Sequence, residues 1–346
     1  MSKECSIATH HSRVRTIMKK NQRANQLKLN QLNLALEGGA THGAFIWGVL
    51  DRLLDEPDFK VEGIASSSAG SYNATILASA LLSGGPAEAK KALKTFWESF
   101  ASMAPFTPFH RGVLDRLIGH WNLDFSTSFL TYEWLSRALS PYLNVNPLMG
   151  IKNLLEEVID FDNLRKSETK LFVFATNVTS GKARIFKNDD ITPDVLIASS
   201  SLPTLFPATE VNGEEYWDGG YTGNPSLRPL VEDCASKDII LVHINPQHRN
   251  DVPVISPHII NRANEVAFSV RIATELYFIE LLKENPDSLS GDANKWAEAK
   301  VHPIYDQEVL ELDYSTKFNA DFEFINFLFN KGRNAAEAFL IDQGLH

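Results

Sequence analysis

The segment Val61–Ser71 constrains this chain more than any other. A short apolar run, Val61–Ala65, reads as a strand and ends in Ser66-Ser67-Ser68-Ala69-Gly70. A helix-like run over Tyr72–Leu82 begins directly after Ser71. A strand that turns abruptly into a helix through a serine holds that hydroxyl exposed on a strained turn above a parallel sheet. The tight turn requires small residues two places before and two places after the serine. With Ser68 as the turning residue those places are Ser66 and Gly70, whereas Ser66 and Ser67 have no glycine two residues on. The same letters also fit a serine-rich helix cap, so the elbow needs support from elsewhere in the chain.

Two distant segments supply it. Leu32–Leu36 reads as a buried strand and Gly43–Leu54 as a helix, and the turn between them carries Gly38, Gly39 and Gly43. Backbone N–H groups in such a turn, backed by a helix N-terminus, cradle an anion. A hydroxyl attacking an ester generates one, and donors aimed at that oxygen are usually the largest catalytic contribution. The spacing matches neither G-x-G-x-x-G nor a Walker loop, because Ala44 and Phe45 follow Gly43; phosphate binding therefore recedes. The other segment, Tyr216–Pro225, places Asp218 before Gly219 and Gly220. Asp-Gly is a common hairpin turn, but a carboxylate there is also free to point out of a sheet. As a base it is weaker than imidazole and needs a desolvated site to accept a serine proton. Among the ten histidines, His243 reads as a satisfied core residue, and His10, His11 and His346 lie near the termini. His42 shares the glycine turn instead of following an aspartate, so a dyad is expected in place of a Ser…Asp…His triad.

Around these pieces, strands and helices alternate. Lys170–Asn177, Lys182–Phe186 and Asp238–Ile244 read as further strands and Pro86–Phe100 as a helix, which implies a parallel sheet with helices on its faces. Phe96 to Tyr142 breaks the rhythm with eleven aromatics and three prolines. It is either extra packing or a cap over an acyl-chain pocket. From Ser256 the chain reads as mostly helical, with Val266, Val270, Ala273 and Tyr277 on one stripe of Asn261–Lys283 and more helix over Phe318–Ile341. The expected division is a basic, flexible tail over 1–29, a core over 30–254 with an insertion about 101–150, and a helical extension over 255–346 packed on the core.

Composition narrows the function. The 346 residues are 44% apolar, with two cysteines, which fits neither a disulfide framework nor a zinc pattern and suits a reducing, cytoplasmic setting. No run approaches a membrane span, and no secretory signal is evident. The net charge is −10, yet residues 1–30 hold seven basic residues against Glu4 alone. That tail is a solvated, disordered arm or a contact for anionic lipid. The acidic body argues against nucleic acid as a partner. No metal or cofactor is expected, since Asp189-Asp190 lacks calcium-ligand spacing.

In order and spacing, the three motifs resemble those of the patatin-like phospholipases, bacterial members in particular. The family pattern is a G-G-G-x-[RK]-G loop, a G-x-S-x-G elbow and a D-G-[GA] motif. Gly38, Gly39, Ala40, Thr41, His42 and Gly43 fall on the first, Ser66 to Gly70 on the second, and Asp218, Gly219 and Gly220 on the third. The similarity extends over roughly residues 30–342. It implies a three-layer α/β/α sandwich with a mostly parallel sheet, and metal-independent hydrolysis of acyl esters in phospholipids or neutral lipids at a membrane surface. By that resemblance Ser68 is the nucleophile, Asp218 its base, and Gly38, Gly39 and Ala40 the oxyanion donors. Three positions depart from the pattern. Ala40 replaces a glycine, which is harmless unless the position needs positive φ; His42 replaces Arg or Lys, making a cation there pH-dependent; Ser66 replaces the first elbow glycine. A thioesterase or esterase on another acyl substrate, and a non-catalytic lipid-binding protein of the same fold, stay open.

Overall fold

The structure is a computed structural model that describes residues 27–118, 121–143, 146–284 and 289–345. Among these, eight strands form one sheet. In chain order, β1 (Leu32–Leu36) leads into α1 (Gly43–Leu53), and β2 (Val61–Ser67) leads into α2 (Ala69–Met103). The insertion follows, with α3 (Val113–Ile118), α4 (Thr127–Ala138), α5 (Leu148–Val158) and α6 (Phe161–Lys166). Then come β3 (Lys170–Asn177), β4 (Ala183–Phe186), α7 (Pro193–Ala198), β5 (Thr209–Val211), β6 (Glu214–Asp218), α8 (Arg228–Asp233) and β7 (Asp238–Val242). The last part holds α9 (Ser256–Lys283), α10 (Asp292–Glu298), β8 (Lys300–Ile304), α11 (Gln307–Glu311) and α12 (Phe322–Asp342). The strand order is β5-β6-β3-β2-β1-β7-β8, with β4 paired to β3. The five strands from β3 to β8 along that order run parallel, and β4, β5 and β6 add antiparallel pairs at one side.

Strand side chains alternate between faces, and that alternation builds three layers. Leu171, Val173 and Ala175 of β3 join a core with Phe45, Leu50, Phe96 and Leu328, which come from α1, α2 and α12. Phe172 and Phe174 of the same strand face Leu230, Ile272, Ile279 and Trp296, from α8, α9 and α10. Helices α1 and α12 approach backbone to backbone. A Cβ on Gly48 would lie 2.0 Å from the Phe329 carbonyl oxygen, and one on Gly332 2.0 Å from that of Phe45. Helix α2 is broken at Gly84 and Gly85, both non-helical, with Pro86 opening its second half where the missing N–H costs nothing.

Four features differ from the sequence reading. Leu27 and Leu29 are buried and the Lys60 amide donates to the Leu29 carbonyl, so packed chain begins ahead of residue 30; residues 1–26 lie outside the described residues. The hairpin β5–β6 turns at Asn212 and Gly213, both at positive φ, the geometry of a two-residue hairpin turn. The C-terminal part is not helical throughout, since β8 extends the sheet beside β7. Its Pro303 is tolerated because the strand lies at the sheet edge. Finally, the α9 stripe is reversed: Val266, Val270 and Tyr277 are exposed, Ile272 and Ile279 face the sheet, and Phe268 is buried against Gly220.

Candidate active site

Sheet register brings the expected residues to one end of the molecule. Leu36 pairs with both Ser66 and Val242, so the glycine loop rises from the carboxyl end of β1 beside the end of β2. Ser67 is level with Phe174 of β3. Val173 and Phe174 have β2 on one side and β4 on the other, and Ala175 pairs with Arg184 of β4 and with Asp218, so β6 takes the side of β3 that β2 leaves after Ser67. Asp218 therefore stands just past the end of β2, on the same side of β3 as Ser68. In open α/β sheets the crevice beyond the strands' carboxyl ends is where ligands bind.

Ser68 is the turning residue itself. Its φ of 51° and ψ of −128° lie outside the regions open to ordinary L-residues, and such strain persists only where surroundings enforce it. They do so here. The Ser68 amide donates to Ser199 Oγ at 2.9 Å, its carbonyl accepts from Ser71 and Tyr72 at the start of α2, and Ser67 Oγ donates to the Gly223 carbonyl at 2.6 Å. At Gly70 a Cβ would fall 2.4 Å from the Leu36 carbonyl oxygen, so the small residue two places on is required by the approach of β1. Ser66 occupies the other small position, paired with Leu36 and Val173 within the sheet. Its buried hydroxyl has no partner among the described residues.

Asp218 ends β6 and caps the turn Gly219–Tyr221, where the Gly220 amide donates to its Oδ1 at 2.7 Å. Gly219 packs on the Phe174 backbone and Gly220 on the Phe268 ring. The main chain is held by the serine run Ser199–Ser201: the Asp218 amide donates to the Ser201 carbonyl and the Gly219 amide to that of Ser199. The carboxyl is 1% exposed. Burial pushes its pKa up to about 7, opposed by the Gly220 amide and by a hydrogen bond from the Ser68 side chain. A carboxylate whose pKa is raised by desolvation is a better proton acceptor near neutrality. Among the described residues no histidine partners either Ser68 or Asp218.

The glycine loop lies directly over the elbow. A Cβ on Gly38 would be 2.7 Å from Ser68 Cβ, so any side chain there would displace Ser68. The Gly38 amide, expected as an oxyanion donor, donates instead to Asn224 Oδ1 at 2.7 Å. The Gly38 carbonyl accepts from Asn224 Nδ2 and from Asn245 Nδ2, at 3.3 and 2.7 Å. Gly39 and Ala40 are left as loop amides with no acceptor among the described residues. At the N-terminus of α2 the Ala69 amide is another, as the first amides of any helix are. Ala40 sits at φ 51°. The position does need positive φ, and its alanine stores strain of about 1 kcal/mol. The loop is further pinned by Glu37, which accepts from His243 Nδ1, from the Ile244 and Asn245 amides and from Asn245 Nδ2. Burial alone would lower the His243 pKa, but the adjacent Glu37 carboxylate holds it above the ordinary value.

His42 departs from expectation. It is buried, with Nε2 on Thr316 Oγ1 at 2.9 Å and Nδ1 unpartnered among the described residues. Burial, reinforced by Lys317 and Arg249, holds its pKa well below 6.5. It is therefore neutral across the physiological range, not a pH-dependent cation. Gly43 opens α1 against Ala69 and the Trp97 ring. The cations near the loop come from the C-terminal part: Lys317 lies 3.3 Å from Asn245 Oδ1, and Glu265 pairs with Lys317, Arg249 and Arg262. Sequence reasoning does not single out Asn224, Asn245, Ser199 or Glu37. Only Asn224 has a local signal, standing inside the third motif.

A strained serine turn with a buried carboxylate beside it, at the carboxyl end of a mostly parallel sheet, defines an α/β protein with a strand–serine–helix elbow. The family model for the patatin-like phospholipases matches residues 34–231. The chain belongs to that family, which places it among lipid acyl hydrolases. Of solved structures, it is similar to VipD from Legionella pneumophila, with 15% identity and a TM-score of 0.38 over 92% of this chain and 67% of that one. It is also similar to the type III effector protein ExoU, with 14% identity and a TM-score of 0.33 over 92% of this chain and 54% of that one. The chain thus spans about two thirds and about half of their lengths. No curated protein sequence matches it.

Proposed function

We propose that this chain hydrolyses acyl esters of membrane phospholipids through a Ser68–Asp218 dyad. The observation that carries the proposal is the contact between a serine held at positive φ and a desolvated carboxyl whose pKa stands at about 7. Ser68 Oγ attacks the ester carbonyl and its proton passes to Asp218. The oxyanion meets the amides of Gly39 and Ala40, with that of Ala69 on the helix side. Asp218 then protonates the departing alkoxide, and water clears the acyl-serine by the same route in reverse. Each amide aimed at the oxyanion is worth about 3–4 kcal/mol of transition-state stabilisation. Ser68 is 5% exposed, so an ester carbonyl reaches it only once the segments around it part. Among the described residues no helix is long and apolar enough to cross a membrane.

The test is covalent labelling by a fluorophosphonate together with product identification from phosphatidylcholine vesicles. Label on Ser68 and released fatty acid, both absent in Ser68→Ala, are the expected result. Undiminished acyl release by Ser68→Ala would overturn the dyad.

A further inference from the structure

The insertion is built inside out. Three of its charged side chains turn inward: Arg111 is buried against Asp321 and stacks on Trp121, with 2.6 Å to Asp321 Oδ2 and 4.7 Å to the ring centroid. Asp115 is buried and accepts from the Gly112 and Phe125 amides, each at 2.8 Å. Glu133 is buried beside Arg137. Its apolar side chains turn outward. Among the described residues, twelve of the 25 exposed large apolar side chains lie between Phe106 and Met149, although that stretch is about an eighth of the chain. On α3 the residues Val113, Leu114, Leu117 and Ile118 face solvent, with Leu117 77% exposed. On α4 Phe129 and Glu133 point in, while Leu130 and Trp134 point out, the latter 63% exposed. Specific hydrogen bonds hold this inverted polarity, so it is a constructed surface and not loose packing. An exposed apolar area of this size marks an interaction site.

We propose that this outer face, α3 and the exposed side of α4, inserts into the acyl region of a phospholipid bilayer and seats the enzyme on its substrate; the proposal rests on the hydrolase function above. Lipid is favoured over a protein partner by two observations. The outward side chains of α3 and α4 carry one charge, Arg116, which is paired with Asp321, and otherwise only the hydroxyls of Thr127, Ser128 and Thr131, so the face has little of the charge that a protein interface pairs across its rim. Its inner side also packs on the segment that holds the catalytic groups. Tyr132 Oη donates to the Leu205 carbonyl at 3.0 Å and Phe109 meets the Phe206 ring, and that segment begins at Ser199, which holds the Ser68 amide. The apolar face therefore borders the region through which an acyl chain must pass. Trp134 is of the type that anchors at a membrane interface.

The experiment uses the full chain and vesicles of zwitterionic phosphatidylcholine in high salt, so that charge attraction is screened. Binding is read by co-flotation, and catalysis both on the vesicles and on a monomeric short-chain ester. The double variant Leu117→Ser/Trp134→Ser should lower vesicle binding and vesicle hydrolysis by about tenfold or more and leave hydrolysis of the monomeric ester unchanged. Val270→Ser, on the exposed stripe of α9, should change neither. Unchanged vesicle binding in the double variant overturns the proposal. So does loss of binding in Val270→Ser alone, or a wild-type dimer that the double variant splits, which would assign the face to a second copy. Absence of ester hydrolysis in the wild type alongside variant-sensitive vesicle binding would instead refute the dyad and leave the membrane face standing.

Discussion

Replacing Asp218 by asparagine should abolish acyl release and at the same time stabilise the protein, by an amount that grows with pH. The carboxyl has an ordinary value of 3.8 and stands at about 7 in the fold, mainly through burial. Between these values the folded state binds a proton that the unfolded state has released, so stability falls as pH rises through that window. The penalty is about 2 kcal/mol at pH 5 and levels off at about 4 kcal/mol above pH 7. The asparagine side chain is not ionised at any pH, and its amide oxygen still accepts from the Gly220 amide, so Asp218→Asn removes the penalty without opening a cavity. With an unfolding entropy of about 2.1 cal/mol/K per residue, about 4 kcal/mol raises Tm by roughly 5 °C in a chain of this length. The assay is thermal unfolding of both proteins at pH 5 and pH 8. The Tm gap should favour the variant at both and be larger at pH 8. A gap that is constant with pH, or that favours the wild type at pH 8, would refute burial as the origin of the raised pKa. The same titration predicts that kcat/KM of the wild type rises with pH to a plateau, with its inflection near pH 7.

Asn224→Ala should lower kcat and the rate of fluorophosphonate labelling by about tenfold or more with KM little changed, because it frees the Gly38 peptide that seats the loop over Ser68; steady-state kinetics on a monomeric ester read the split. His42→Lys, which restores the family's basic residue, should destabilise the fold by about 3–5 kcal/mol in denaturant titration, since the ammonium would be buried beside Lys317 and Arg249. Ala40→Gly should raise stability by about 1 kcal/mol in the same assay by relieving the positive φ.

The residues of the candidate site are legible in the sequence because each is tied to local backbone demands. Ser68 and Gly70 sit at a strand–helix turn, Gly38 at a strand end, and Asp218 before two glycines, and such turns impose residue types that survive in one dimension. The strands β1, β2, β3 and β7 are legible for a related reason. Burial on both faces makes them largely apolar runs, broken only by residues such as Asn33 and Glu62. Asn212-Gly213 carries an equally local signal for the β5–β6 hairpin, although the short strands on either side of it do not stand out.

What sequence cannot decide is everything governed by contacts between distant elements. Nothing in ATHG says that His42 is sealed beneath Thr316 and kept neutral, because desolvation is a property of the surrounding shell. The engagement of the Gly38 amide by Asn224 joins positions 186 residues apart. The helical stripe of α9 is visible in the sequence, but periodicity gives the spacing of a face and not which side the sheet will cover. The insertion's polarity is hidden for the same reason, since a sequence shows how many apolar and charged groups there are and only the fold shows which of them it turns outward. Local sterics wrote the turns of the candidate site into the chain; burial and long-range hydrogen bonding, which depend on every neighbour at once, had to be seen in three dimensions.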